Sequence, residues 1–194
     1  MAKLYFRYGA MNAGKSTVLL QVAHNYKEKN MKCPIIKPKI DTKGDNKVVS
    51  RIGISSPVDL LLDSNESLFS DSNLKVLKDS ICILVDEAQF LSKNQVDELW
   101  TITKYFDIPI ICYGLRTDFK SNFFTGSKRL MEVADELEEL VTICSCGKKS
   151  RFNARIVNNN YITDGESIAI DDNDSIRYEP LCGNCYLQKV LKKF

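Results

Sequence analysis

Short apolar runs alternate with amphipathic stretches along the first three quarters of the chain, and their spacing predicts the elements in turn. Lys3–Tyr8 reads as a strand, and the turn Gly9–Gly14 leads into a helical run from Lys15 to about Lys29. Lys32–Ile36 reads as a second strand closed by Pro38, followed by a polar, net basic loop over Ile40–Ser56. Ile81–Val85 is apolar throughout, which predicts a strand buried on both faces of a parallel sheet. Ser92 suits an N-cap for a helix through Lys104, with Leu99, Trp100 and Ile102 expected on its buried side. Ile108–Tyr113 is a further apolar strand, Gly114–Gly126 a loop carrying Phe119, Phe123 and Phe124, and Ser127–Glu132 opens a short helix. Strands alternating with helices in this way are the α/β pattern.

Past about Leu140 the pattern breaks into cysteine pairs, the run Asn158–Asn160, the acidic stretch Asp171–Asp174 and a basic tail, Lys189–Phe194. A boundary is expected there, with residues 1–140 as a nucleotide-binding α/β unit and 141–194 as a small metal-binding unit. Neither an internal repeat nor a low-complexity segment intervenes.

Composition narrows the function classes. Over 194 residues the apolar fraction is 44%, the charged fraction 27% and the mean hydropathy −0.21, as in soluble globular proteins. No apolar run approaches the roughly 20 residues of a membrane span, and the first residues do not read as a signal peptide, so a cytoplasmic location without membrane contact is expected. A net charge of +2 is no general footprint for nucleic acid. The single histidine, His24, excludes chemistry that needs two, and is expected at the surface.

Of seven cysteines, Cys33, Cys82 and Cys112 sit singly in apolar runs, where a thiol behaves as a small hydrophobe. Cys144 and Cys146, with Cys182 and Cys185, form two pairs that in a cytoplasmic protein read as a metal site, not as disulfides. Four thiolates close a tetrahedral Zn²⁺ site and leave no place for water, which makes the role structural.

The sharpest signal is Gly9-Ala10-Met11-Asn12-Ala13-Gly14-Lys15-Ser16, which fits G-x-x-x-x-G-K-[ST] between a strand and a helix. Consecutive N–H groups and a helix N-terminus wrap a polyphosphate, Lys15 reaches its outer phosphates, and Ser16 ligates the Mg²⁺ of ATP. The bland alternative is a glycine turn that happens to precede a lysine. Downstream, Ile81–Val85 ends in Asp86, suited to the second Mg²⁺ contact, and Glu87, suited to accept a proton. Acids at strand ends are common; with the phosphate loop upstream they mark nucleotide-dependent phosphoryl transfer or hydrolysis. Both a kinase and an ATPase acting on nucleic acid through a zinc ribbon fit these motifs, although the chain is short for a motor and its charge is balanced. Glu132–Glu139 reads as a solvated face. Asp171–Asp174 lacks the glycine and distal glutamate of a calcium loop.

The order of Gly9–Ser16, Val85–Phe90, Tyr113–Phe119, the Phe124-Thr125-Gly126 turn and the two cysteine pairs resembles the bacterial branch of the type II thymidine kinases, over essentially the whole chain. The resemblance implies a P-loop (RecA-like) parallel-sheet domain with a small C-terminal zinc-ribbon-like domain carrying a lasso loop. It implies transfer of the γ-phosphoryl of ATP to the 5′-hydroxyl of thymidine or deoxyuridine, feedback inhibition by dTTP, and a homotetramer. Residue by residue, Glu87 matches the catalytic base, Asp86 the Mg²⁺-associated acid, and Gln89 a member of the ATP-side set. Met11, Phe90 and Leu115 match the nucleoside pocket, Phe119 and Phe124 its aromatic walls, and Tyr178 the lasso tyrosine. Ala169, Ile170 and Asp171 match the segment bonding the base edge, and Asp41 an acid near the 5′ end. Three positions depart from the family's pattern. Lys43 replaces the usual arginine and loses its bidentate fork. Asn153 stands where some members place a threonine beside the thymine methyl, and Asp171–Ser175 stands where many have a glycine pair.

Overall fold

The computed structural model describes residues 1–40, 46–167 and 176–193. Asp41, Lys43, Ala169, Ile170 and Asp171 lie outside the described residues. The chain runs β1 (Leu4–Tyr8), α1 (Lys15–Glu28), β2 (Ile35–Pro38), β3 (Lys47–Val49), β4 (Ser55–Pro57), β5 (Leu60–Leu62), α2 (Asp71–Leu77) and β6 (Ile83–Val85). It continues through a 3₁₀ turn at Ala88–Phe90, α3 (Lys93–Tyr105), β7 (Ile110–Gly114), α4 (Thr125–Val133) and β8 (Glu136–Glu139). The C-terminal part holds β9 (Thr142–Ile143), β10 (Lys149–Ser150), β11 (Phe152–Val157), β12 (Asn160–Ile162), β13 (Ile176–Leu181) and α5 (Gly183–Lys189).

One parallel sheet in the order β5-β2-β6-β7-β1-β8 organises the first part. Side chains alternate between its faces, so each central strand feeds two cores. Ile83 and Val85 join Leu4, Phe6, Ile110 and Cys112 under α3 and α4, packed on Leu99, Ile102 and Leu130. Leu84, Ile35 and Tyr113 face the other way, onto Leu19 and Leu20 of α1. Burial on both faces is what the apolar run called for, but the strand holds only Ile83–Val85 of it: Ile81 lies before the strand and is 51% exposed. The carboxyl ends of β1, β6 and β7 then place Gly9, Asp86 and Leu115 along one edge of the sheet, where open α/β sheets bind ligands.

The structure departs from the sequence expectations at several places, each for a local reason. Trp100 is 42% exposed, because the buried stripe of α3 runs through Val96, Leu99, Ile102 and Thr103, and at about 100° per residue Trp100 points about a quarter turn away from its centre. β2 starts at Ile35, not Lys32, since Pro34 has no N–H to give a ladder. The polar stretch from Ile40 to Ser56 is not all loop: β3 and β4 pair antiparallel, and Val48, 1% exposed, reaches the core beside Leu19 and Leu20. The acidic run ends in edge strand β8, held to β1 by Lys3–Glu136 and Arg7–Glu138 pairs at 2.6 Å. Its outward charges also blunt that edge. β5 and the Ser70-capped helix α2 were not expected at all. His24 is exposed and faces Glu28 one turn on.

In the C-terminal part β11 pairs antiparallel with both β12 and β13. Its core is Ala154, Leu181, Tyr186 and Val190, with Phe152 stacked on Tyr186 at 4.9 Å between centroids. Among the described residues no helix is long and apolar enough to cross a membrane.

Candidate phosphoryl-transfer site

Gly9–Ser16 joins β1 directly to α1. Gly14 caps the helix at φ 74°, a left-handed conformation that glycine adopts without a side-chain penalty. No side chain caps α1, whereas Ser70 and Ser92 cap α2 and α3. The first-turn N–H groups of α1 and its partial positive end are therefore left for an anion. Lys15 Nζ donates to the carbonyl of Ala10 at 2.8 Å. Burial draws its pKa below the ordinary lysine value, with Glu87 and Asp86 opposing that shift.

Asp86 ends β6, is 4% exposed, and lies 3.4 Å from the Ser16 hydroxyl that donates to it. These two oxygens, one from each motif, are the pair able to hold Mg²⁺ against a polyphosphate. Glu87 follows in the left-handed region at φ 49°, ψ 38°, a conformation rare for a residue with a side chain and often found at functional sites. Gln89, 2% exposed, explains how the carboxylate is held. Its Nε2 donates to Glu87 Oε2 at 2.5 Å, while its Oε1 accepts the backbone N–H of Leu115 at 3.0 Å. Close packing of α4 closes the arrangement: a Cβ on Gly126 would sit 2.4 Å from the carbonyl oxygen of Ala88.

These groups share a cavity of about 290 Å³ lined by the phosphate loop, Asp86, Glu87, Leu115 and, from the opposite side, Lys37, Lys47 and Arg51. The turn bearing Arg51 is fixed by reciprocal bonds between Ser50 and Ile54, with backbone N···O of 2.8 Å. A larger cleft of about 900 Å³ runs along the far side of α1 past His24 and Cys33, and holds neither the phosphate loop nor the acid pair.

The residues expected around a nucleoside divide into three groups. Met11 and Leu115 line the cavity. Phe90 and Phe124 meet edge to face at 5.7 Å. Phe119 is buried, with its ring beneath the guanidinium of Arg155 at 3.9 Å, and Tyr178 accepts a hydrogen bond from the same arginine at 2.7 Å. Asn153 is buried too: its Oδ1 accepts the Met11 N–H at 2.8 Å and its Nδ2 donates to the Thr117 carbonyl. It thus ties β11 to the phosphate loop. Sequence reasoning missed Arg51, Lys37 and Arg155. Arg51 carried only the signal of the net basic stretch Ile40–Ser56, and Lys37 and Arg155 carried none.

The four paired cysteines converge, with their sulfurs all within 4.8 Å of one another and Cys146 Sγ 3.5 Å from Cys182 Sγ. A tetrahedral zinc at about 2.3 Å from each sulfur needs separations of about 3.8 Å, so the donor set fits. Burial resists ionisation of Cys144, but backbone N–H groups of Cys146 and Cys182 outweigh it and bring the thiol down to about 6. Cys185, sharing hydrogen bonds with Cys146, Cys182 and Cys144, is pushed up to about 12. Crowded thiols that cannot all ionise alone are what a divalent cation reconciles.

A parallel sheet, an uncapped phosphate loop and an acid pair at the adjoining strand end define a P-loop nucleotide-binding protein of the α/β class. The profile of the thymidine kinase family matches residues 2–186. The thymidine kinase of Haemophilus influenzae (strain Rd) is 47% identical over 192 residues, covering 94% of this chain and 99% of that one. That of Mannheimia succiniciproducens is 46% identical over 195 residues, covering 99% and 98%. The chain belongs to the thymidine kinase family. Among solved structures, the Pif1 helicase from Candida albicans aligns with 72% of this chain and 36% of its own at 15% identity, with a TM-score of 0.41, a likeness too slight to bear on function.

Proposed function

We propose that this protein transfers the γ-phosphoryl group of ATP to the 5′-hydroxyl of thymidine, or of deoxyuridine, giving the nucleoside monophosphate and ADP. The observation that carries the reading is Glu87, fixed by Gln89 at the mouth of the cavity that the phosphate loop lines. The hydroxyl oxygen attacks the γ-phosphorus as the bond to the bridging oxygen of ADP breaks, and the hydroxyl proton passes to the Glu87 carboxylate. Lys15, the α1 N-terminus and Arg51 surround the phosphates with positive charge. Ser16 and Asp86 would hold Mg²⁺, which would supply neutralisation of phosphate charge. Met11 and Leu115 take the nucleoside side of the cavity, with Phe90, Phe119, Phe124 and Tyr178 supporting it.

The finer parts of the proposal rest on the resemblance. Asp41, Ala169, Ile170 and Asp171 complete the nucleoside contacts, and dTTP acts as feedback inhibitor. The cysteine quartet holds a structural zinc in a C-terminal unit from about residue 141. The protein works as a cytoplasmic homotetramer. The deciding experiment incubates the protein with ATP labelled at the γ-phosphate, Mg²⁺ and thymidine. Label appearing in thymidine 5′-monophosphate supports the reading; release of labelled phosphate with no labelled nucleotide refutes it.

A further inference from the structure

Arg155 is 3% exposed in the middle of β11, yet among the described residues no carboxylate pairs with it. Its charge is met instead by neutral groups. Nε donates to the Tyr178 hydroxyl at 2.7 Å, across the register pair that joins β11 to β13. The two terminal nitrogens donate to consecutive backbone carbonyls, Glu166 at 2.6 Å and Ser167 at 3.1 Å. One face of the guanidinium lies on Phe119 at 3.9 Å, with Tyr178 further off at 5.3 Å.

A buried cation is costly without a counter-charge, and a desolvated aromatic face offsets part of that cost. The remaining donors are satisfied only while residues 166 and 167 stay in place. That segment is also fixed from the first part of the chain, where Lys120 Nζ donates to the Gly165 carbonyl and the Ser167 hydroxyl donates to Asp118, both at 2.7 Å. The planar fork of an arginine can hold two adjacent carbonyls at once, whereas a lysine holds one point. None of these residues lines the phosphate cavity.

We propose that Arg155 is a positioning residue: it locks Phe119, Tyr178 and the backbone at Glu166–Ser167 into one unit and so sets the nucleoside side of the site independently of the phosphate side. This rests on the reading of thymidine as the phosphoryl acceptor. The test compares wild type with Arg155→Lys, which keeps the charge and loses the fork.

Two readouts separate the inference from that reading. In hydrogen exchange, which needs no substrate, Arg155→Lys exchanges faster than wild type over residues 164–167 and 176–178 while α1 is unchanged. In labelled phosphoryl transfer, its thymidine KM rises about tenfold or more, as losing hydrogen bonds to a charged group implies, while the ATP KM stays within twofold. Equal exchange in both proteins, or thymidine and ATP KM values rising together, overturns the inference. A wild-type protein that phosphorylates no thymidine overturns the functional reading alone, because the exchange result still stands. If Arg155→Lys does not fold, Phe119→Leu removes only the aromatic face beneath the guanidinium. It is expected to raise thymidine KM in the same direction, and an unchanged KM refutes the proposal.

Discussion

Replacing Glu87 by glutamine tests the assignment of the proton acceptor with little disturbance to the structure. The amide oxygen of a glutamine side chain can still accept from Gln89 Nε2, so Gln89 keeps its other bond to the Leu115 N–H and no buried donor is orphaned. What changes at that contact is a charged hydrogen bond becoming a neutral one, a difference of about 1 kcal/mol in stability. The left-handed backbone at φ 49° costs the two side chains about the same, so it adds nothing to the difference. Chemistry is affected far more, because an amide cannot take the hydroxyl proton. Positioned proton acceptance is typically worth about 10²–10⁴-fold, or about 2.7–5.4 kcal/mol of barrier. Turnover should therefore fall by two to four decades while the melting temperature drops by about 2–4 °C. The assay is transfer of labelled γ-phosphate to thymidine at saturating substrates, alongside a thermal melt. A folded Glu87→Gln variant whose turnover stays within about fivefold of wild type refutes the role, and would move the search for the acceptor to another group in the cavity.

Lys15→Ala should cut ATP use by at least about 10²-fold while metal content stays constant, since its Nζ donates to phosphate-loop carbonyls, far from the cysteine quartet in the chain; steady-state kinetics and metal analysis check both halves. Freshly purified protein should carry one zinc per chain, and Cys182→Ser should lose it together with thermal stability; unchanged metal content in that variant contradicts the four-thiolate assignment. Gly126→Ala should destabilise the fold by about 1–3 kcal/mol in urea titration, because the new Cβ meets the carbonyls of Ala88 and Leu91 at 2.4 and 2.8 Å and backbone atoms there cannot swing aside.

The parts of this molecule that were legible in its sequence are those whose chemistry is contiguous. β1, the phosphate loop and α1 follow one another without a break, and the apolar run at Ile81–Val85 carries its two acids on its own end. A periodic run and a fixed spacing are local facts, so no knowledge of tertiary contacts was needed to read them. The cysteine pairs lie far apart in sequence, but thiol chemistry supplies the long-range pairing that spacing alone does not. Where a residue's role depends on strand register or on a distant partner, the sequence is silent. Gln89 works through Leu115, 26 positions away, and Arg155 works through Tyr178, which the pairing of β11 with β13 sets opposite it, and through Phe119 from the segment after β7. Phe119 shows the ambiguity best. An aromatic residue in a loop can wall a ligand or cushion a cation, and the burial beneath Arg155 shows the second contact, which composition could not.

The two halves of the site consequently differ in how sequence change reaches them. On the proposed reading, phosphate binding depends on N–H groups, a lysine and a hydroxyl held by one strand–loop–helix unit, with one carboxylate, Asp86, from the end of the neighbouring strand, so few substitutions outside those two segments reach it. The nucleoside side, on the same reading, depends on contacts that cross from β11 and α5 to the phosphate loop and to the segment after β7: Asn153 to Met11 and Thr117, Tyr186 to the Phe119 carbonyl, and Arg155 to Phe119. Each of those contacts joins parts of the chain more than 30 residues apart, and all but the Asn153–Met11 bond can be altered without touching the phosphate loop. Acceptor choice is therefore the property most open to change in this fold, and donor use the least. A relative with an identical Gly9–Ser16 motif but another residue at 155 should keep its ATP affinity and differ in the nucleoside it accepts, whereas a change at 153, which bonds the Met11 N–H, should reach both.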